Sequence, residues 1–176
     1  ITTDLCAEYG LEVPDLSEGI IERLNKILPS FWSHGNPVDI VGEGNPDIPK
    51  ICMEELLKWK GCDAVIHLGI HGKRVLANKM IDSVLKTDSN IDESSAALFK
   101  ETILAEEEAY AEYIVKMTRK YEKPVLGVSL LTDDISRTIY RYDNNPYQGV
   151  FFPSPERAVK ALAGMCEYHH WLDART

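Results

Sequence analysis

Apolar residues along this chain switch between helical and strand spacing, which predicts an α/β fold. Helical spacing is clearest in residues 17–29, where the apolar positions are Ile20, Ile21, Leu24, Ile27 and Leu28. The segments 63–70 and 125–130 are short and almost continuously apolar, as is typical of strands buried on both faces of a parallel sheet. Alternation of the two patterns favours a mainly parallel sheet with helices between its strands.

The remaining segments complete this pattern. Further helices are predicted at residues 2–9, 48–61, 75–85, 92–120 and 133–141, with a last helix opening at Ser154-Pro155. Thr2 or Thr3 can cap the first of these helices. A last strand is predicted at residues 149–153. The sequence shows no repeat, low-complexity tract or interior linker, so we expect residues 1–176 to form one domain.

Composition excludes several classes of partner. The net charge of -9 argues against binding to nucleic-acid backbones and to anionic membrane surfaces. The 4 cysteines form no CxxC motif, so we expect reduced thiols in a cytoplasmic protein. No apolar stretch is long enough to span a membrane, and no signal peptide is recognisable.

Motifs of common catalytic and nucleotide sites are missing from the sequence. It contains neither GxGxxG nor GxxxxGK[ST], and it has no GxSxG elbow. Ser129 lies at the end of a predicted strand, but its neighbours in the sequence are apolar. No histidine or cysteine cluster has metal-ligand spacing. We therefore predict no catalytic residue, no metal site and no cofactor held by this domain itself.

One basic turn is a candidate anion site. His71 lies just past the carboxyl end of the 63–70 strand, and Lys73 and Arg74 follow it. Ligand sites in open α/β sheets favour that edge, so these three residues could meet an anion. The alternative is an ordinary solvated basic turn.

The segment Asn36-Pro37-Val38-Asp39-Ile40 is predicted to be a fixed structural loop. Pro37 disfavours a helical conformation at Asn36. The side chains of Asn36 and Asp39 can hydrogen-bond to nearby backbone and stiffen the loop. The segment offers a rigid platform and no reactive group.

The same segment is one of two that resemble the NDP-forming acyl-CoA synthetases, relatives of succinyl-CoA synthetase. The other is Phe152–Leu162, with the sequence FPSPERAVKAL. Asp4–Glu12 is also similar to the helix and GLE stretch that precede the NPVD loop in this family. The spacing of these segments extends the resemblance over nearly the whole chain.

The resemblance implies a fold and a reaction. These enzymes make acyl-CoA from a carboxylic acid, CoA and a nucleoside triphosphate, through an acyl phosphate and a phosphohistidine. They combine a CoA-binding domain, two flavodoxin-like domains and an ATP-grasp portion. The phosphohistidine belongs to an SHTG-type motif, which Ser33-His34-Gly35 does not match. This chain resembles the second flavodoxin-like domain, a three-layer sandwich whose first strand and Gly-Gly turn are expected before Ile1.

The resemblance also implies a role. The first helix of this domain faces the phosphohistidine of a partner domain, and here Thr2, Thr3 and Asp4 would form its N-terminus. The expected partners are the CoA-binding, phosphohistidine-carrying and ATP-grasp domains, with CoA, ATP and Mg serving the parent enzyme and oligomerisation left open. Two alternatives are a non-catalytic interaction module and a stand-alone small-molecule-binding domain.

Overall fold

A computed structural model describes residues 1–42, 44–87, 92–133, 137–142 and 145–175, with only the backbone of residue 93. These ranges contain six helices and four strands. In chain order they are α1 (Thr2–Glu8), α2 (Glu18–Leu24), α3 (Ile48–Lys58), β1 (Val65–Leu68), α4 (Lys73–Thr87), α5 (Glu93–Tyr121), β2 (Val125–Val128), β3 (Ile139–Arg141), β4 (Gln148–Phe152) and α6 (Pro155–Asp173).

The four strands form one mostly parallel sheet in the order β1-β2-β4-β3. β1 pairs with β2, and β2 pairs with β4, in parallel. β3 runs antiparallel to β4 at the opposite edge. The predicted α/β class with a mainly parallel sheet is confirmed, and the architecture is compatible with a flavodoxin-like fold.

Helices cover both faces of the inner strand β2. All four residues of β2 are buried, and successive side chains of a strand point to opposite faces. α5 contacts β2 and β4, while α6 contacts β1, β2 and β4. This burial explains why the β2 sequence is continuously apolar rather than alternating.

Two expectations about secondary structure are wrong. Residues 139–141 form strand β3 instead of the end of a helix over 133–141, and residues 134–136 lie outside the described ranges. Tyr140 is buried between the exposed Ile139 and Arg141, which is strand spacing, and antiparallel pairing with β4 satisfies its backbone. At the other end of the chain, Ile1 occupies the N-cap of α1, so neither Thr2 nor Thr3 caps that helix.

The first strand that the resemblance places before Ile1 is interior in a flavodoxin-like sheet, so its loss would leave a gap unless another chain fills it or the sheet pairs differently. Instead, the four described strands pair without interruption, and β1 lies at an edge with β2 as its only partner among them. The side of β1 opposite β2 therefore carries backbone groups that no described strand pairs.

The interior divides into two clusters. The larger lies between the sheet and helices α3 and α5, and includes Leu57, Ile114 and Phe151. The smaller is built around Ile20 and Leu24 of α2, together with Trp32. Val38 and Ile40 pack against it, which ties the predicted structural loop to α2.

One row of the sheet is unusually tight. His67, Gly127 and Phe151 are neighbours across β1, β2 and β4. The rings of His67 and Phe151 meet edge to face at a centroid distance of 5.5 Å. The row therefore needs a residue without a side chain at its centre.

His67 gives the fold a pH dependence. Neither ring nitrogen has a hydrogen-bond partner among the described residues, and burial followed by the nearby His71 lowers the His67 pKa from 6.5 to about 3. Below pH 6.5, His67 is therefore protonated in the unfolded chain but stays uncharged in the folded chain. We expect this group to lower the free energy of unfolding by about 1 kcal/mol per pH unit between about pH 6 and pH 4.

Urea unfolding of His67→Leu as a function of pH tests this expectation. The substitution should flatten the pH dependence by that amount, because leucine does not titrate. Ile66→Leu, at the neighbouring position of β1, is the matched control and should leave the slope unchanged, because it removes no titratable group. Equal slopes for the wild-type chain and His67→Leu would contradict the assignment.

None of the helices in the described ranges combines the length and apolarity that a bilayer span requires.

Candidate functional site

The carboxyl ends of β1 and β2 border a cavity of about 340 Å³. The chain turns sharply after β1 through Gly69 and Gly72, whose φ angles are 72° and 87°. A Cβ atom at Gly72 would lie 2.7 Å from the carbonyl oxygen of Leu131, so glycine is required where the two segments after the strands touch. This close approach brings His71 against Ser129.

His71 is the centre of a buried polar cluster at this edge. Its side chain is surrounded on several sides, and the residue is only 3% exposed. Nδ1 lies 3.2 Å from Ser129 Oγ, and Nε2 lies 2.6 Å from the Tyr140 hydroxyl. Nε2 also lies 3.2 Å from Glu107 Oε1. The imidazole lies against the Phe151 ring at a centroid distance of 4.0 Å, with the ring planes tilted by 30°.

Glu107 binds the start of α4. Its Oε2 accepts hydrogen bonds from the backbone N–H groups of Gly72 at 3.0 Å and Lys73 at 2.8 Å. A carboxylate is favoured there because the first N–H groups of a helix have no partner within the helix. Glu107 therefore occupies the position that an external anion would take.

The rim of the cavity carries two ion pairs. The Arg74 guanidinium pairs with Asp133. Arg137 lies over the Tyr140 ring at 4.1 Å and pairs with Glu108 at 3.3 Å. Cationic and anionic side chains thus balance around the opening.

Burial governs the protonation of the central groups. Burial lowers the pKa of His71, while the charges of Glu107 and Glu108 act in the opposite direction. Burial, with the same two carboxylates, raises the pKa of Tyr140 to about 12. At neutral pH the imidazole is thus an uncharged base next to a protonated phenol.

The other predicted site residues lie elsewhere. α1 packs on α6, away from the cavity. Thr2 is partly exposed, Thr3 and Asp4 are exposed, and the Asp4 carboxylate pairs with the amino group of Ile1 at 3.0 Å. In the structural loop, Asn36 Nδ2 donates to the Pro14 carbonyl at 3.0 Å. Asp39 Oδ1 accepts from the Val41 N–H at 2.8 Å, and Pro37 is exposed.

Sequence reasoning missed three members of the cluster around His71. Ser129 has apolar neighbours along the chain, yet in space it lies beside a histidine. Tyr140 was assigned to a predicted helix over residues 133–141, whereas it lies in strand β3. One feature of the sequence pointed to Glu107, because the run Glu106–Glu108 interrupts the apolar stripe of α5. Among the described residues, no group of three or more His, Cys, Asp or Glu side chains could hold a metal ion.

Comparison with known proteins identifies two curated relatives. The chain is 24% identical over 174 residues to the ADP-forming 4-hydroxybutyrate–CoA ligase of Nitrosopumilus maritimus, a match that covers 98% of this chain and 20% of the ligase. It is 32% identical over 47 residues to the ADP-forming acetate–CoA ligase of Methanocaldococcus jannaschii, covering 27% of this chain and 7% of that protein. No protein-family model matches.

These relatives confirm the resemblance to ADP-forming CoA ligases. The first match runs through almost all of this chain, as the distribution of the sequence motifs implied. The chain spans about a fifth of the length of that relative, since the match covers 20% of it.

Proposed function

We propose that this chain forms one domain of an ADP-forming acyl-CoA synthetase and corresponds to its second flavodoxin-like domain. The observation that carries this proposal is the similarity to an ADP-forming CoA ligase over 98% of the chain. The mostly parallel sheet with helices on both sides of β2 supports it. The parent enzyme would join a carboxylic acid to CoA with hydrolysis of ATP to ADP and phosphate, by way of an acyl phosphate and a phosphohistidine on another domain.

The work of this domain is to pack against sister domains. The CoA-binding, phosphohistidine-carrying and ATP-grasp domains would supply the reacting groups, with CoA, ATP and Mg bound there. In a flavodoxin-like sheet of order 2-1-3-4-5, strands β1, β2 and β4 take the last three places, and the first strand joins the open edge of β1. The uninterrupted order from β1 to β4 is consistent with that arrangement.

A narrower role concerns the start of α1. Thr2 and Thr3 would present backbone N–H groups to the phosphohistidine, because the positive end of a helix stabilises a phosphate. Asp4 would repel a phosphate if it pointed straight at it, so Thr2 and Thr3 would lie closer to the phosphate than Asp4 does.

An assay of ADP release tests the proposed function. With a carboxylic acid, CoA, ATP and Mg, we expect no turnover from this chain alone, because the proposal places every reacting group on other domains. Turnover should appear when the chain is supplied with those domains of its ligase and should disappear when this domain is left out. Turnover by the isolated chain, or full activity without this domain, would contradict the proposal.

A stand-alone ligand-binding domain is the second candidate, because the cavity beside His71 is large enough for a small molecule. The predicted anion site at His71, Lys73 and Arg74 belongs to this candidate. An anion would have to displace the Glu107 carboxylate from the backbone N–H groups of Gly72 and Lys73. Calorimetric titration with CoA and nucleotides separates the candidates, since the ligase domain is expected to bind them weakly on its own.

A further inference from the structure

Three groups from distant parts of the chain line up at the cavity beside β1 and β2. Ser129 follows β2, His71 follows β1, and Glu107 lies within α5. Ser129 Oγ is 3.2 Å from His71 Nδ1, and Glu107 Oε1 is 3.2 Å from Nε2 of the same ring. All three residues line the cavity.

The neighbours of the imidazole select its tautomer. Glu107 Oε1 lies 3.2 Å from Nε2, and the negative charge of this carboxylate favours the proton on that nitrogen. Nδ1 is then an acceptor, and the Ser129 hydroxyl is the donor 3.2 Å away. The Tyr140 oxygen, 2.6 Å from Nε2, can accept from the same N–H. A serine that donates to a neutral histidine held by a carboxylate is the arrangement that activates a nucleophile.

We propose that Ser129 is a base-activated nucleophile that takes an acyl group from a small uncharged ester, with His71 as general base and Glu107 as positioning residue. Ser129 Oγ bonds to the carbonyl carbon while its proton moves to His71 Nδ1. The tetrahedral adduct collapses, the ester C–O bond breaks, and the alcohol leaves with that proton. Water then attacks acyl-Ser129, and His71 again accepts and returns the proton. No electron acceptor is needed.

The lining of the cavity sets the substrate class. Two cationic and two anionic side chains contribute to it: Arg74, Arg137, Glu107 and Glu108. This balance does not favour a strongly charged head group. Val75, Leu104 and Leu131 add apolar surface, and a volume of about 340 Å³ suits a short acyl chain.

Covalent labelling with a small uncharged alkyl fluorophosphonate tests the proposal. Ser129 Oγ would displace fluoride from phosphorus and leave a stable adduct, which intact-mass analysis and peptide mapping detect on the full 176-residue chain. We expect one adduct, on Ser129, and none on Ser129→Ala. Ser154→Ala is the matched control, because Ser154 is a partly buried serine at an N-cap whose side chain makes no cap hydrogen bond. It should label like the wild-type chain.

Two further measurements separate activation from a purely structural role. His71→Gln should lower the labelling rate constant about 100-fold, the usual size of general-base assistance. The wild-type rate constant should fall on acidification, as His71 takes up a proton. The proposal is overturned if the wild-type chain gives no adduct, if the adduct persists in Ser129→Ala, or if the wild-type rate shows no fall in acid. These outcomes leave the proposed ligase role untouched, because that role makes no use of Ser129.

Discussion

Replacing Gly127 with alanine is expected to lower the free energy of unfolding by about 3 kcal/mol, the upper end of the usual cost of overpacking a core. A Cβ atom at this position would lie 2.7 Å from His67 Nε2 and 2.8 Å from Phe151 Cε1. Neighbouring side chains prevent the His67 and Phe151 rings from moving away easily. Phe151 is 1% exposed and packs against His71 and Tyr140, and His67 contacts Tyr110 edge to face.

Chemical denaturation monitored by circular dichroism measures this effect. Gly164→Ala is the matched control, because nothing lies within 4 Å of a Cβ added at Gly164. Gly164 lies within α6, where alanine is favoured over glycine by about 1 kcal/mol, so this variant should be as stable as the wild-type chain or more so. A Gly127→Ala variant that unfolds at the wild-type denaturant concentration would show that the row of rings has more room than the geometry indicates.

Trp32→Ala should be the most destabilising single truncation in the smaller cluster, at about 3–5 kcal/mol. The indole is 2% exposed and packs with the α2 residues Ile20 and Leu24. Its Nε1–H donates to Asn25 Oδ1 at 2.7 Å, so truncation removes both packing and a hydrogen bond. Trp32→Phe should lower the free energy of unfolding by less, because phenylalanine keeps most of the apolar contact although it lacks the indole N–H donor.

The same denaturation experiment with Trp171→Ala separates burial from residue type. Trp171 lies on α6, is 46% exposed and stacks on Tyr168 at 5.7 Å, so its truncation should cost under about 1 kcal/mol. Similar losses for the Trp32 and Trp171 variants would mean that the smaller cluster contributes little to the stability of the chain.

The Trp32 prediction also concerns the loop that carries the family resemblance. Val38 and Ile40 are partly buried against the same cluster, whereas Asn36, Pro37 and Asp39 are exposed. Loss of the indole should therefore loosen the loop together with α2. Faster amide hydrogen exchange in residues 36–41 of Trp32→Ala than of Trp171→Ala would report this coupling.

Local periodicity determined most of the secondary structure of this protein. The apolar faces of α2 and α3 and the continuously apolar β2 are visible in the sequence, because burial of one helical stripe or of both strand faces imposes a pattern on near neighbours. The segment that forms β1 was expected to be buried on both faces, but β1 is an edge strand whose Leu68 is 45% exposed. The helix predicted over residues 133–141 is wrong at 139–141 because a prediction from periodicity depends on a local repeat. A three-residue strand is too short to establish a repeat, and its conformation is set by pairing with β4.

The candidate site depends on contacts that no local pattern encodes. His71 was identified from its position after β1, and the motif resemblance to ADP-forming CoA ligases was also readable from the sequence. Ser129 and Tyr140, however, are 58 and 69 residues from His71 along the chain.

The sequence by itself determined the α/β class, most element boundaries to within a few residues and the resemblance to CoA ligases, because each depends on neighbouring residues or on short motifs. Tertiary structure alone decided that His71 is buried rather than solvated and that Glu107 fills the anion position at the start of α4. It also placed Ser129 beside a base. The physical reason is that parallel strand pairing and the packing of α5 bring together side chains whose separation along the chain carries no information about their separation in space.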